Sequence, residues 1–376
     1  MIESVFNTYK QHKNTSLFGR YISLKHIEPI LKSLENDFKI KVEGISVLNQ
    51  NIYSIQLGSG PIKIFMWSQM HGNESTSTKA LFDLLNYIKS NPSFIDAFSL
   101  LIIPMLNPDG SNAYTRVNAN NVDLNRDAQE LSQPESVTLN KLFKTFKPHF
   151  CLNLHGQRTI FSAGDTNYPA TLSFLVPAEN EERDITETRK KAMRIISYMN
   201  TELQQLIPNQ IGRYDDGFNA NCVGDAFTMA GVPTILFESG HYKDDYDREE
   251  VRAYTFTALW VCLKAIRDKN QIDDNHLKYF NIPENNKLFC DIIISNVDVN
   301  GQNMTVEIQF IEKLVENSIH FLAKIEKISK FTNLYAHKSY NANGSKVLTT
   351  NHIDIYEGYE TDFVIWKNNE ILKLAK

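Results

Sequence analysis

The chain has 376 residues, 42% hydrophobic and 22% charged, with 39 Lys+Arg against 44 Asp+Glu and a net charge of −5. That length holds an α/β enzyme domain with a smaller appendage, and the acidic balance excludes a binder that grips nucleic acid by neutralising phosphates. Four scattered cysteines (Cys151, Cys222, Cys262, Cys290) form no CxxC pair and read as reduced, buried thiols. No stretch reaches the ~18 apolar residues of a membrane span. The opening MIESVFNTYKQHKNTSLFGRY lacks the apolar stretch of a secretory leader, so a cytoplasmic protein with no membrane partner is expected.

From about residue 38 to 268, short apolar runs alternate with amphipathic segments, as strands alternating with helices do. FKIKVEG and IYSIQLG alternate apolar and polar residues and predict half-buried strands. IKIFMWS (62–68), FSLLIIPML (98–106), HFCLNLH (149–155) and VPTILFE (232–238) are nearly continuous apolar runs, suited to central strands covered on both faces. Between them the pattern predicts helices over 76–90, 134–146, the charged 181–205 stretch and 247–267. Together these imply a mixed, mostly parallel sheet with helices on both faces. The pattern changes after the polar KNQIDDN and the NIPENN break. CDIIISNVDV, MTVEIQFIEKLV, HIDIYEG and TDFVIWKN, with NG turn signals at 300–301 and 343–344, predict a small β-rich domain. FLAKIEKISK suits a strand or a short helix. The expected domains are 1–275 and 284–376.

The chemistry-bearing residues follow the ends of the apolar runs, where open α/β sheets collect their ligands. SQMHGNEST places His71 and Glu74 in an H-x-x-E turn, and LNLHGQ ends on His155. Two imidazoles and a carboxylate suit zinc, whose catalytic sites keep three protein ligands and one open position. As plain structure, Ser75 or Thr76 is a helix cap with Glu74 near the helix N-terminus. TILFESGH puts Glu238 at a strand end, where burial of a carboxylate is costly unless it is compensated or used as a base. Arg116, Asp123, Asn125 and Arg126 lie on the long polar loop after NPDG, itself a turn signal. Guanidinium groups there suit a carboxylate or an oxyanion, and Asp123 suits the second N–H of a ligand histidine.

HGNE, NPDG with a following Arg, VDLNR, a strand-end LHG and then FES, in that order, resemble the zinc carboxypeptidases of the carboxypeptidase A type. The resemblance implies a three-layer α/β/α sandwich around a mixed sheet of about eight strands, holding one Zn2+. It makes His71, Glu74 and His155 the metal ligands and Glu238 the catalytic base. Arg116 becomes the carbonyl-polarising arginine, Asn125 with Arg126 the grip on a free C-terminal carboxylate, and Asp123 the partner of His71. The expected partner is therefore a peptide or peptide-like substrate trimmed from its C-terminus. Tyr214 is the nearest candidate for the family's substrate-covering aromatic. The side-chain pocket is expected around Cys222-Val223-Gly224-Asp225, where the small and apolar residues favour a neutral side chain and Asp225 turned inward favours Lys or Arg. Succinylglutamate desuccinylase and aspartoacylase share HxxE, a later His and a Glu, which makes N-acyl amino acid deacylation the alternative. The segment 284–376 compares with the small transthyretin-like β-sandwich that follows the catalytic domain in some members.

Overall fold

The computed structural model describes residues 2–268, 272–367 and 370–374. Residues 269–271 of the KNQIDDN stretch and Asn368 of TDFVIWKN lie outside them. The chain divides into two compact units. The first runs to Gln157 and resumes from Ala170 to Asn285; the second joins Arg158–Pro169 to the chain from Asn286 onward.

The first unit is built on eight strands: β1 (Lys39–Ile45), β2 (Asn51–Leu57), β3 (Ile62–Ser68), β4 (Phe98–Ile103), β5 (Phe150–Gly156), β6 (Leu172–Leu175), β7 (Ile211–Arg213) and β8 (Thr234–Ser239). Their order across the sheet is β1-β2-β4-β3-β5-β8-β6-β7. The four apolar runs are the central strands β4, β3, β5 and β8, all parallel. The flanks are antiparallel at β1/β2, β2/β4 and β6/β8, which makes the sheet mixed.

Eight helices accompany the sheet: α1 (Ile2–His12), α2 (Leu24–Leu34), α3 (Thr76–Ser90), α4 (Pro108–Ala113), α5 (Pro134–Phe146), α6 (Glu187–Leu203), α7 (Val223–Met229) and α8 (Glu249–Arg267). Successive strand residues point to opposite faces, so each continuous apolar run feeds two cores. Ile64, Met66, Leu100, Ile102, Leu152 and Leu154 join the cluster that includes Leu81 and Leu85 of α3, Ile195 and Ile196 of α6 and most of α8. Phe65, Trp67, Leu101, Ile103 and Cys151 join the other, with Leu139 and Leu142 of α5 and Val223 and Phe227 of α7. Helix α8 is buried on almost every side, as a helix without a polar stripe must be.

Several elements escape the sequence pattern. Helix α2 buries Leu24, Ile27, Leu31 and Leu34 on one stripe, but Pro29 sits inside it and breaks the helical signature. Strands β6 and β7 have only four and three residues, too few for a period to show. The charged 181–205 stretch is helical only from Glu187, and it is not simply a solvated face. Arg189 is buried, donating to the carbonyls of Arg183, Asp184 and Val176 and pairing with Asp216.

In the second unit, β9 (Phe289–Val299), β10 (Gln302–Val315), β11 (Ser318–Ser329), β12 (Tyr335–Asn341) and β13 (Glu360–Thr361) form a sheet in the order β12-β9-β10-β11-β13. FLAKIEKISK is strand, within β11. At the β9–β10 turn Asn300 and Gly301 have φ of 53° and 78°, the paired positive values that an Asn-Gly hairpin turn requires. HIDIYEG is not a strand. Beyond a single bridge from Asp354 to Leu348 it stays irregular, because His352 (φ 59°) and Gly358 (φ 87°) turn the backbone out of the extended region at both ends. The segment 158–169 belongs to this unit through bonds of its own: the Phe289 N–H donates to the Ile160 carbonyl, and Gln309 Nε2 to Thr159 Oγ1.

In the first unit, α3 and α8 are fastened by a fully buried pair. The Arg252 guanidinium meets both oxygens of Asp83, each at 2.6 Å, and also donates to the carbonyls of Asn14 and Leu17. Asp83→Ala leaves that guanidinium only Glu249 Oε2, at 3.2 Å, as a carboxylate partner and is expected to cost about 3 kcal/mol. Denaturant unfolding of the variant against the double variant Asp83→Leu/Arg252→Met measures it, with the double variant recovering most of the loss.

Candidate active site

The turn after β3 is held in an unusual backbone path. Gln69 has φ 45°, and its buried carboxamide donates to the carbonyls of Ile22 and Gly72 and to Ser111 Oγ. NPDG is more than a turn. Asn107 caps the short helix α4 by accepting from the Gly110 N–H, and its Nδ2 donates to the Met70 carbonyl. A Cβ on Gly72 would collide with the Gly110 backbone, so the turn and α4 interlock only with glycine there. This packing presents His71 and Glu74. Ser75 opens α3 without capping it, its hydroxyl donating instead to the Arg20 carbonyl.

His71 Nδ1 lies 2.9 Å from Glu74 Oε1 and 3.1 Å from His155 Nδ1, and His155 Nδ1 lies 3.0 Å from Glu74 Oε2. One donor atom from each of the three residues falls within 4.8 Å of the others. Neighbouring ligands around a tetrahedral zinc, with bonds of about 2.0–2.1 Å, stand roughly 3.3 Å apart. The donor set and its spacing therefore fit one such ion. His71 turns its Nε2 to Asp123 Oδ1 at 3.0 Å, which commits Nδ1 to the centre. The Gly156 N–H donates to Glu74 Oε2.

The electrostatics point the same way. Burial works against charge on His71, but Glu74 and the Asp123 carboxylate outweigh it and push its pKa up to about 9. Burial would raise Glu74, yet His71 and His155 hold it far below the usual carboxylate range. Burial lowers His155, leaving it neutral. Carboxylates arranged to favour a proton on His71 equally favour a divalent cation in its place.

Arg116 bridges Asp123 Oδ2 at 3.1 Å and Glu74 Oε1 at 3.5 Å, with about half its side chain exposed. Strand register sets Glu238 opposite His155. Burial, then the charge of Glu74, raise the Glu238 pKa well above its ordinary value, and its Oε2 has no hydrogen-bond partner among the described residues. Asn125 accepts from the Val223 N–H, and Arg126 Nη1 donates to Cys222 Sγ. A pocket of about 220 Å3 is lined by His71, His155, Glu238, Arg116, Asn125, Arg126 and Tyr214, and also by Asn153, Cys222, Gly224, Asp225 and Leu236. Glu74 and Asp123 stand against His71, so all nine candidate residues come together.

A model of the zinc carboxypeptidase family matches residues 27–258, well over half of the chain. The chain belongs to the zinc carboxypeptidase family. Carboxypeptidase 2 of Trichophyton rubrum is 28% identical over 101 residues, 26% of this chain and 19% of that one, so the match spans about a fifth of the relative's length. Among solved structures, a metallo-carboxypeptidase from Burkholderia cenocepacia has a TM-score of 0.53 at 15% identity, covering 65% of this chain and 69% of its own. Carboxypeptidase A of Helicoverpa armigera also has 0.53, at 16% identity, covering 70% and 79%. At such identities the likeness is one of fold; this chain has a mixed sheet with helices on both faces and, separately, a β-rich unit.

Sequence reasoning missed Asn153, Gln157 and Arg248. Asn153 lies two residues before His155 on the same face of β5, a period-2 signal that could have found it. Cys222, grouped with the buried thiols, is half-buried and lines the pocket. Buried Arg248 donates to the carbonyls of Ser239 and Gln157, a main-chain role that no side-chain spacing announces. Replacing Asp123 by Asn is expected to weaken zinc affinity roughly 10–100-fold while the fold is kept, as read by chelator competition.

Proposed function

We propose that this chain is a zinc-dependent carboxypeptidase that hydrolyses the C-terminal amide bond of peptides, with Glu238 as proton carrier. The observation that carries the reading is the convergence of the His71, Glu74 and His155 donor atoms at a pocket lined also by Glu238, Arg116 and Arg126. A zinc ion held by those three residues supplies Lewis acidity and a water acidified towards pKa ~7. Glu238 takes a proton from the attacking water and returns it to the leaving amine. Arg116 faces the carbonyl oxygen, where negative charge develops during attack. Asn125 and Arg126 hold the free terminal carboxylate, which restricts cleavage to the chain end.

The pocket wall supports a preference for a cationic terminal side chain. Asn153 is fully buried with neither carboxamide atom hydrogen-bonded among the described residues, a cost that a bound polar group would relieve. In the same lining, burial raises the Asp225 pKa to about 6, opposed by the Asn219 N–H and by Arg126 and Arg189. A carboxylate ionised above pH 6 and an unpaired carboxamide in one pocket favour Lys or Arg.

Metal analysis coupled to a library of peptides differing in the last residue tests the reading. Glu238→Gln is expected to retain zinc and lose roughly 10²–10⁴-fold in kcat, whereas His155→Ala loses the metal. C-terminal amidation should block turnover. Hydrolysis confined to N-acyl amino acids, with peptides untouched, would overturn the proposal in favour of a deacylase. For the side-chain preference, kcat/KM for a terminal Lys relative to Leu should fall as pH drops through about 6, because protonation removes the Asp225 charge. In Asp225→Asn that ratio should be lower by about tenfold or more at neutral pH and flat with pH.

A further inference from the structure

Gln157 follows the ligand strand by one residue and is bound at every polar atom. Its N–H donates to the Ser239 carbonyl and its own carbonyl accepts from Arg248. In the side chain, Nε2 donates to the Ala170 carbonyl at 2.6 Å and to Ser173 Oγ at 3.2 Å. Oε1 accepts from Tyr214 OH at 2.7 Å and from Asn285 Nδ2 at 3.1 Å. Asn285 Nδ2 also donates to Ser173 Oγ, at 2.8 Å.

The logic of donors fixes every proton in this group. A backbone carbonyl only accepts, so the Ala170 contact must receive the amide nitrogen, and Oε1 is forced toward Tyr214. Since Oε1 only accepts, the single phenolic proton is committed to it. Towards any further group the Tyr214 oxygen acts as an acceptor. Two glycines keep the cluster compact: a Cβ on Gly240 would collide with Gln157 Nε2 and the Ala170 carbonyl, and one on Gly212 with Asn285 Oδ1. Tyr214 itself leaves β7 tied by its N–H to the Phe174 carbonyl and lines the pocket with Glu238 and Arg116.

We infer that Gln157 is a positioning residue: its carboxamide, oriented by Ala170 and Ser173 and braced by Asn285, fixes Tyr214 in the pocket as an acceptor-only hydroxyl. Tyr214 is thus a preset wall of the site that receives a substrate N–H; it neither swings in as a cover nor donates to the substrate carboxylate. This rests on the carboxypeptidase reading only for the nature of the group Tyr214 receives.

The test uses the full-length, zinc-loaded protein labelled with 3-fluorotyrosine, the Tyr214 fluorine resonance being assigned by its loss in Tyr214→Phe. Gln157→Met keeps the bulk and removes the acceptor that Tyr214 OH meets at 2.7 Å, so the Tyr214 fluorine resonance should move from its wild-type position and broaden as the ring loses its fixed orientation. Ser173→Ala, which removes one partner of the carboxamide, should shift it the same way by less, and serves if Gln157→Met does not fold. With peptide substrates, Gln157→Met and Tyr214→Phe should each raise KM roughly tenfold with a smaller change in kcat, and the double variant should be no worse than Tyr214→Phe. N-methylation of the penultimate amide should erase the difference between wild type and Tyr214→Phe. An unchanged Tyr214 fluorine resonance in both variants, or additive losses in the double, would overturn the inference. A protein that turns over no peptide refutes the carboxypeptidase reading, while the fluorine spectrum still decides whether Gln157 fixes Tyr214.

Discussion

Parallel register is the constraint from which the site follows. Ser68 of β3 pairs with Leu154 of β5, and His155 of β5 with Glu238 of β8, all three strands running the same way. Parallel neighbours end on one edge of the sheet. Residues separated by more than eighty positions in the chain therefore arrive side by side without any loop having to reach across. The backbone sets the spacing of His155 and Glu238, and side chains have only to refine it. The turn after β3 supplies the remaining two donors, and its interlock with α4 through Gly72 makes their placement as rigid as the strands.

Gathering charge at this edge is costly, and the surrounding residues offset the cost in a graded way. Glu74 is compensated by two imidazoles, a backbone N–H and Arg116; Asp123 by His71, Arg116 and the Asn125 N–H. Glu238 is favoured as a charge only at a distance, by His71, Arg116 and Arg248, and its Oε2 has no hydrogen-bond partner among the described residues. Two carboxylates in one cavity thus sit at opposite extremes of proton affinity. Such a separation suits division of labour, one group holding a cation and the other moving a proton. Far from this edge, the Asp83–Arg252 pair shows buried charge of the opposite kind, satisfied on all sides and free of chemistry.

The sequence was most readable where one interaction dominates. The central strands were legible because both of their faces are buried, which leaves unbroken apolar runs. Helices α3, α5 and α8 were legible because their lengths allow the helical period to show. His71, Glu74, His155 and Glu238 were legible because they sit where those runs stop. What stayed hidden depends on partners distant in sequence. Nothing local distinguishes Gln157 from a surface glutamine, and its importance comes from Ala170, Ser173, Tyr214 and Asn285. The burial of Arg189 left no local sign because its partners are main-chain carbonyls and Asp216. HIDIYEG had the right alternation but the wrong backbone, since a positive φ at His352 leaves no trace in hydropathy.

The second unit begins inside the first. The chain departs after Gln157, two residues past His155, contributes Arg158–Pro169 to the other body, and returns at Ala170. The division between the bodies therefore crosses the polypeptide three times, and no single peptide bond separates them. A protease or an engineer cutting near residue 285 would not separate the two units. The cut would orphan a twelve-residue excursion whose Ile160 carbonyl and Thr159 hydroxyl are bound by Phe289 and Gln309. Neither unit is one continuous stretch of chain, so each depends on a segment that the other's sequence encloses.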